Sequence, residues 1–318
     1  MTGEILTLTL NPSIDGASET DAVRHTHKIR TSNERYDPGG GGINVARVLT
    51  RFGDPVTACY LSGGVTGALL DRLIDQCGVA RTAIAIQDDN RISHAIYERS
   101  SGKEYRFVPE GPHVGKAEWQ RAIDVIAERQ PPVVIASGSL PPGIPEDFYA
   151  LLSEKVRAYG GRMALDTSGA ALARAVEASG LWLVKPSQGE FEALIGRACD
   201  GPVDIGEAAH ALAREGKAEM IAVTMGHQGA VYADAEGHLH CMPPDVPVKS
   251  ATGAGDSFVA GMVHALMAGW EPRRAFLHGM AAGSAAVLTP GTDLCMPDDV
   301  ARLFTAMCGK DDTIPAPL

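Results

Sequence analysis

The sequence predicts an α/β protein with a parallel sheet covered by helices on both faces. Between residues 116 and 224, short apolar segments alternate with segments of helical periodicity, and this alternation is typical of a parallel sheet. The segments VVIA (133–136) and LWLVK (181–185) are almost wholly apolar, as expected of strands buried on both faces. A length of 318 residues and an apolar fraction of 45% suit one large domain.

The first regular elements follow in order from the amino terminus. EILTLTL (4–10) is rich in leucine and β-branched residues and predicts a buried strand. GINVARVLTRFG (42–53) has apolar residues at helical spacing and ends in glycine, which predicts a helix closed by a C-terminal glycine. VTACYL (56–61) predicts the next strand, and residues 67–77 predict the next helix.

The same periodicity places the later elements. Further strands are predicted over 163–166 and 220–224 and, as two short strands, near 230–241. Further helices are predicted over 116–128, 146–158, a short segment before 181, 204–215, 254–268, 272–287 and 297–307. We expect a single domain over residues 1–308 and a disordered tail over 309–318.

Two segments, 13–37 and 91–108, do not fit the alternation of strand and helix. Both are polar and strand-like, and the second contains ISHAIYE and EYRFV joined by SSGK, which indicates a hairpin. We expect the two segments to form a small sheet outside the main core that acts as a lid.

The composition excludes several classes of partner. A net charge of −11 and a pI near 5.4 argue against nucleic acid and anionic membranes, which select clustered positive charge. No apolar run approaches the roughly 18 residues that span a bilayer, and MTGEILTLTL does not resemble a targeting peptide. The six cysteines include no C-x-x-C pair. We therefore expect a soluble, cytoplasmic protein.

Three familiar ligand-binding signatures are absent from the sequence. There is no G-x-x-x-x-G-K-[ST] loop, and no G-x-G-x-x-G follows the first strand, which disfavours a nicotinamide oxidoreductase. There is also no G-x-S-x-G nucleophile elbow.

The stretch SATGAGDSFVAGMVHAL (250–266) places small residues directly before an apolar helix. The backbone N–H groups of Gly253, Ala254 and Gly255 can form an anion site at the positive end of that helix. Asp256 lies in the first turn, where a capping role is the alternative explanation. A general base beside a phosphate site is what phosphoryl transfer to a hydroxyl requires.

A second glycine-rich stretch, PGGGGINVAR (38–47), also precedes a predicted helix. Four consecutive glycines form either an unstructured turn or a backbone that approaches a ligand closely. Together, PGGGGINVAR and TGAGDSFVAG resemble the ribokinase-like (PfkB) carbohydrate kinases. The resemblance covers nearly the whole chain and includes the segments SGSLPPG, LVKPSQGE, TMGHQGA and AAGSAAVLTPGT.

The resemblance implies a three-layer αβα fold with a small β lid through which a homodimer forms. It also implies a sugar-phosphate site and assigns residues to it. The sugar would contact Asp15, Gly39, Gly40, Gly41, Gly42, Asn44 and Ser139. Its phosphate would contact Lys28, Arg30 and Arg91 through charge-assisted hydrogen bonds, with Arg106 as a further candidate.

For catalysis, the resemblance implies that Asp256 deprotonates the acceptor hydroxyl while the amides of 253–255 stabilise the transferring phosphoryl group. The nucleotide would contact Lys185, Ser187, Thr224, Gly226, Gly229, Met280 and Ser284. Glu190 would hold Mg²⁺ through water. Ser187 stands where the family usually has Asn, and serine is shorter and lacks the amide donor. A K⁺ site would lie near Ser250, Thr252 and Gly291.

Within the family, TLTLNPSID, GGGGINVAR and YRFVPEG look most like the 6-phosphofructokinase branch. We therefore expect ATP-dependent phosphorylation of fructose 6-phosphate at its C1 hydroxyl. Kinases for fructose 1-phosphate or tagatose 6-phosphate are the nearest alternatives, although these relatives often have GGKG where this chain has GGGG. A kinase for free sugars or nucleosides would leave the lid cations without a phosphate. A sugar-phosphate sensor without catalysis is the alternative from another class.

Overall fold

The computed structural model describes residues 3–289 and 291–308. The predicted disordered tail over 309–318 lies outside these residues. The strands of the described chain are β1 (Ile5–Thr9), β2 (Ser13–Thr20), β3 (Ser32–Gly39), β4 (Val56–Gly63), β5 (Ala80–Ile86), β6 (Arg91–Glu98), β7 (Lys103–Phe107), β8 (Val133–Ser137), β9 (Arg162–Asp166), β10 (Leu181–Val184), β11 (Ala218–Thr224), β12 (Ala230–Asp234) and β13 (Gly237–Cys241).

Its helices are α1 (Gly41–Phe52), α2 (Gly64–Gln76), α3 (Lys116–Arg129), α4 (Phe148–Ala158), α5 (Gly169–Ala178), α6 (Gln188–Ile195), α7 (Gly201–Arg214), α8 (Ala254–Met267), α9 (Pro272–Ala286) and α10 (Pro297–Cys308). A short 3₁₀ turn covers Gly226–Gln228.

The large sheet has the strand order β13-β12-β11-β10-β9-β8-β1-β4-β5. The strands from β11 to β5 are parallel, and β12 and β13 continue the sheet in antiparallel pairing. Each strand contributes side chains to two cores because successive residues point to opposite faces. On β8, for example, Val133 and Ile135 belong to one core, whereas Val134 and Ala136 belong to the other.

The two cores correspond to two helical layers. Helices α1, α2, α8, α9 and α10 pack on one face of the sheet, and α3 to α7 pack on the other. This arrangement is the predicted three-layer αβα architecture. Strand order reverses at β1, which lies between β8 and β4. Ligands of open α/β sheets bind beyond the carboxyl ends of the strands at such a switch point.

The two polar segments form a separate sheet with the order β3-β2-β6-β7, as predicted. Its register aligns Tyr36, Gly16, His94 and Phe107 in one row across the four strands. The neighbouring row, Arg35, Ala17, Ala95 and Arg106, faces the other side because residues alternate along a strand. One face of the small sheet is therefore rich in aromatic groups and the other carries charge.

Two elements were not predicted from the sequence. Strand β5 (Ala80–Ile86) is the edge strand of the large sheet, and only Ile84 and Ile86 on it are fully buried. Helix α6 (Gln188–Ile195) has only eight residues and one fully buried side chain, Phe191. Both elements are short and bury few side chains completely, so their apolar periodicity is weak.

Candidate active site

Helix α8 begins with a glycine in the left-handed conformation, Gly253, with φ of 76°. Within the described chain, the N–H of Ala254 donates to Ala251 O at 3.4 Å, while the N–H groups of Gly255 and Asp256 have no acceptor. Free N–H groups at the positive end of a helix favour an anion. The first turn of α8 thus offers two donors, at Gly255 and Asp256, whereas the predicted donor at Ala254 is partly occupied.

The side chain of Asp256 lies against α1. Asn44 Nδ2 donates to Asp256 Oδ2 at 2.9 Å, and the second oxygen, Oδ1, has no hydrogen-bond donor among the described residues. Burial and the neighbouring Asp166 raise the pKa of Asp256 to about 7, against the lowering effects of Asn44 and Lys185. A half-buried carboxylate with a pKa near neutrality and one free oxygen is suited to accept a proton.

Lys185 lies beside the same turn and is only 6% exposed. Its Nζ forms an ion pair with Asp166 Oδ1 at 3.1 Å. Burial lowers the pKa of Lys185, but the carboxylates of Asp166, Asp256 and Glu190 outweigh burial and raise it above its usual value. Lys185 is therefore a fixed positive charge near the first turn of α8.

Asp166 was missed by the sequence analysis. It is the last residue of β9, and a polar residue directly after an apolar strand lies at the edge where ligands of a parallel sheet bind. In the sequence, Asp166 ends the apolar segment MALD, and this position was the available indication. No glycine-rich motif lies beside it, so the segment was predicted only as a strand.

The four glycines of residues 39–42 pack against the residues of this site. A Cβ on Gly39 would overlap the Asp15 carboxylate, and one on Gly41 would overlap Ser137 Oγ and lie 3.1 Å from Asp256 Oδ1. A Cβ on Gly42 would lie 2.7 Å from the carbonyl oxygen of Leu8. The run belongs to β3 and α1, so the interpretation as an unstructured turn is wrong. The backbone of the glycine run does approach other groups closely, and in this structure those groups belong to the protein itself.

Asp15 lies on β2 and pairs with Asp37 of β3, two residues before the glycine run. Ser13 Oγ donates to Asp15 Oδ1 at 2.6 Å. Burial raises the pKa of Asp15, while Ser13, Arg106 and Arg91 act in the opposite direction. Two arginines therefore lie close enough to Asp15 to stabilise its charge.

Arg91 is held in place by backbone carbonyls. Its Nη2 donates to Asn11 O at 2.8 Å and its Nη1 donates to Pro109 O at 2.9 Å, whereas Nε is buried with no partner among the described residues. Asn11 Nδ2 in turn donates to Ser139 Oγ at 3.1 Å. Asn11 was not predicted as a site residue, although it follows the carboxyl end of β1, where ligands of such sheets bind.

Lys28 and Arg30 lie elsewhere. Both are exposed in the connection between β2 and β3, beyond the end of β2 that is farther from Asp15. Thr20 lies five positions after Asp15 on the strand, or about 17 Å away at 3.4 Å per residue. No hydrogen bond or ion pair joins either side chain to the described residues around Asp15. The structure brings Arg91 and Arg106 near Asp15, and does not bring Lys28 and Arg30 there.

Ser187 is the N-cap of α6. Its Oγ accepts from the N–H of Glu190 at 3.4 Å, and Glu190 Oε2 accepts from the N–H of Ser187 at 2.7 Å, which is a capping box. The other Glu190 oxygen is left for water or metal. The N–H of Thr224 donates to Pro186 O at 3.0 Å, so Thr224 lies beside this cap.

The remaining predicted residues fall into two groups. Gly226 and Gly229 have positive φ values of 59° and 89° in the turn between β11 and β12. Met280 and Ser284 lie on α9 and are 4% and 8% exposed. A Cβ on Gly283, between them and the start of α8, would lie 3.2 Å from Ala254 O. This part of α9 therefore packs directly against the first turn of α8.

The residues predicted to surround K⁺ also lie together. Ser250 Oγ donates to Gly291 O at 2.8 Å and accepts from the N–H of Thr252 at 3.2 Å.

Within residues 3–289 and 291–308, no cluster of three or more His, Cys, Asp or Glu side chains is placed to hold a metal ion. In the same part of the chain, no helix combines the length and apolar character needed to cross a membrane.

Comparison with known proteins gives consistent matches. A model of the pfkB family of carbohydrate kinases matches residues 8–299. The ATP-dependent 6-phosphofructokinase isozyme 2 of Mycobacterium tuberculosis is 39% identical over 302 residues, which cover 94% of this chain and 88% of that protein. The 1-phosphofructokinase of Xanthomonas campestris is 34% identical over 272 residues, which cover 84% of this chain and 85% of that protein.

A solved structure matches over almost the whole length. The crystal structure of phosphofructokinase-2 from Escherichia coli in complex with potassium superposes with a TM-score of 0.93 at 35% identity. The superposition covers 97% of this chain and 100% of the other.

Proposed function

We propose, because this chain belongs to the pfkB family of carbohydrate kinases, that it transfers a phosphoryl group from ATP to the C1 hydroxyl of fructose 6-phosphate. Membership in the family and its ribokinase-like fold are established by the matches over most of the chain. The identity of the sugar phosphate and the roles of single residues are the proposal.

One observation carries the proposal: Asp256 lies in the first turn of α8, beside free backbone N–H groups and the positive charge of Lys185. In the proposed reaction, the C1 hydroxyl oxygen attacks the γ-phosphorus. The bond from that phosphorus to the bridging oxygen breaks and ADP leaves. The hydroxyl proton passes to Asp256 Oδ1, the oxygen that has no donor, while the N–H groups of Gly255 and Asp256 stabilise the transferring group.

The sugar would lie between the small sheet and the start of α1. Asp15 and Asn44 would hold its hydroxyl groups, and Gly39 to Gly42 would border it. Arg91, which backbone carbonyls hold in place, and Arg106 would supply positive charge for its 6-phosphate from the same side. Ser139 would complete this part of the site. Lys28 and Arg30 would reach the phosphate only through movement of their loop or from a second chain.

The nucleotide would occupy the other side of α8. Lys185 would neutralise its phosphates, and Ser187, Thr224, Gly226, Gly229, Met280 and Ser284 would border it. Glu190 fits a water-mediated Mg²⁺ site because one of its oxygens is free of the capping box. When bound, Mg²⁺ would neutralise charge on the nucleotide phosphates. The carbonyl groups near Ser250, Thr252 and Gly291 would suit K⁺, an ion that the Escherichia coli enzyme's structure contains.

Phosphorylation of fructose 1-phosphate is the second candidate, because the Xanthomonas campestris relative carries that name. The third glycine of the run argues for fructose 6-phosphate. Position 41 is where the alternative branch often has Lys, and here a side chain would overlap Ser137 Oγ.

We further propose that two chains associate through the aromatic face of the small sheet. Tyr36 and Phe107 on that face are 45% and 59% exposed. Large exposed apolar groups in one row are typical of an interaction surface.

ADP release from MgATP tests the proposed substrate. Fructose 6-phosphate, fructose 1-phosphate, tagatose 6-phosphate and free fructose are compared in parallel. We expect kcat/KM for fructose 6-phosphate to exceed the others at least tenfold, and Asp256→Asn to abolish turnover while the circular dichroism spectrum is unchanged. A preference for another sugar phosphate would overturn the choice of substrate, and full activity of the Asp256→Asn variant would overturn the mechanism.

A further inference from the structure

Arg47 is a buried arginine on α1, three residues after Asn44, and is 5% exposed. Its Nη1 donates to Asn44 Oδ1 at 3.1 Å and to Pro38 O at 3.2 Å. Residues three apart on a helix lie on the same face, so the contact follows from the spacing within GINVAR. The sequence analysis gave Arg47 no role.

The chemistry of this contact fixes the orientation of the Asn44 amide. A guanidinium group only donates hydrogen bonds, so the amide must turn its oxygen toward Arg47. Its NH₂ group then points at Asp256 Oδ2, 2.9 Å away. In the flipped orientation the NH₂ group would face the guanidinium and the amide oxygen would face a carboxylate, so both contacts would be lost.

We propose that Arg47 is a positioning residue that holds the Asn44 amide as a donor to Asp256 and thereby sets the pH range in which Asp256 can act as a base. This inference rests on the proposed role of Asp256. The charged groups that face Asp256 are Asp166, Lys185 and Asp15. None of them is changed by a substitution at Arg47, which removes the group that orients the Asn44 donor together with the charge of Arg47 itself.

The test compares Arg47→Met with Arg51→Met. Arg51 lies one turn farther along α1 and donates to the backbone carbonyls of Leu294 and Cys295 at 2.8 and 3.1 Å. It is a matched control, because it is also a helical arginine that binds carbonyl groups but does not touch Asn44. For Arg47→Met, we expect the acid limb of kcat against pH to move up by about one unit, because a carboxylate without its donor binds protons more tightly. At pH 7 kcat would fall about fivefold.

For Arg51→Met we expect a lower melting temperature and an unshifted acid limb. Arg47→Lys keeps the charge but loses the guanidinium group, so its acid limb should move up by less than that of Arg47→Met; it also serves if Arg47→Met does not fold. An acid limb that stays in place in both Arg47 variants would overturn the inference, since a purely structural residue changes the folded fraction and not the pH midpoint.

A second readout does not depend on turnover. ¹³C-labelled aspartate allows the titration of Asp256 to be followed by NMR, with the signal assigned by its loss in Asp256→Asn. We expect a higher midpoint in Arg47→Met than in the wild-type protein. If no sugar phosphate is turned over but this midpoint still moves, the proposed function fails and the positioning role stands. If turnover occurs and the midpoint does not move, only the positioning role fails.

Discussion

The carboxyl group of Asp256 is half-buried and lies near Asp166 and Asp15, and these surroundings raise its pKa to about 7. An ionised carboxylate in such surroundings destabilises the folded state, because the unfolded chain gives up the proton near pH 4. The same arrangement would serve the proposed reaction, since a base with a pKa near neutrality is effective at physiological pH. Asp256 therefore couples the stability of the protein to its proposed activity.

Asp256→Asn should stabilise the protein at high pH. Because the pKa in the folded state lies above that in the unfolded state, the ionisation penalty is absent below about pH 4, grows toward pH 7 and is constant above it. The full shift corresponds to roughly 4 kcal/mol, and residual contact with water reduces this to about 1–3 kcal/mol. Urea unfolding at pH 4 and pH 8 measures the difference.

Asp245→Asn is the control for this measurement, since Asp245 is exposed and its replacement should change the free energy of unfolding by less than about 0.5 kcal/mol. Equal stability of the Asp256→Asn variant and the wild-type protein at pH 8 would show that Asp256 carries no ionisation penalty.

At the scale of residues, the sequence predicted the groups that lie within recognisable motifs. Asn44, Lys185 and Asp256 were singled out, and the structure brings them to one place. Asp166 and Arg47 were not, because their contacts depend on a partner distant in sequence or on an amide orientation. No motif indicates that the lysine after one strand and the aspartate at the end of another form an ion pair.

Helix α6 illustrates how one substitution from the family pattern is accommodated. Ser187 stands where the family usually has Asn, and both residue types are good N-caps. The Ser187 side chain caps α6 and Glu190 returns the contact. The departure from the pattern therefore preserves the start of the helix that positions Glu190.

Ser187→Ala should destabilise the protein by about 1 kcal/mol, whereas Ser187→Asn should retain most of the stability. Thermal unfolding at constant pH measures both. Ser168 is the N-cap of α5 but makes no side-chain capping hydrogen bond, so Ser168→Ala should have a smaller effect. Equal losses at the two serines would mean that the capping box contributes nothing specific.

The start of α1 should tolerate no side chain at Gly41. A Cβ there would overlap Ser137 Oγ and crowd Asp256, so we expect Gly41→Ala to cost about 1–3 kcal/mol and to reduce kcat by at least tenfold. Urea unfolding and ADP release measure the two effects.

Two further variants test whether the overlap at Gly41 causes these losses. Gly41→Ala combined with Ser137→Gly should recover part of the stability, because the overlapping atoms are removed. Gly189→Ala lies inside α6 with no heavy atom within 4 Å of the new Cβ, and should stabilise by up to about 1 kcal/mol. A neutral Gly41→Ala would mean that the backbone of residues 39–42 moves freely.

At the scale of elements, the sequence predicted the elements with strong apolar periodicity. It missed β5 and α6, whose buried residues are few. It identified the segments of the small sheet by their failure to fit the main pattern, but strand order in either sheet depends on contacts between residues far apart in the chain, which periodicity does not report.

The two faces of the small sheet carry different side chains: charged groups on the face of Asp15 and aromatic groups on the opposite face. Asp15 shares its face with Arg35 and Arg106, as the alternation along β2, β3 and β7 requires. Tyr36 and Phe107 project from the opposite face. A single chain thus leaves an aromatic surface uncovered on the side of the sheet away from Asp15.

Association of two chains through this surface should be broken by Phe107→Arg, because a charge in the centre of an apolar contact loses its hydration without gaining a partner. Sedimentation velocity over a range of concentrations should show a dimer for the wild-type protein and at least a hundredfold weaker association for the variant. Val203→Arg is the matched control: Val203 lies on α7, is 65% exposed and belongs to the helical layer of the main body. If the wild-type protein sediments as a monomer, or if Phe107→Arg remains dimeric, chains do not associate through this face of the small sheet.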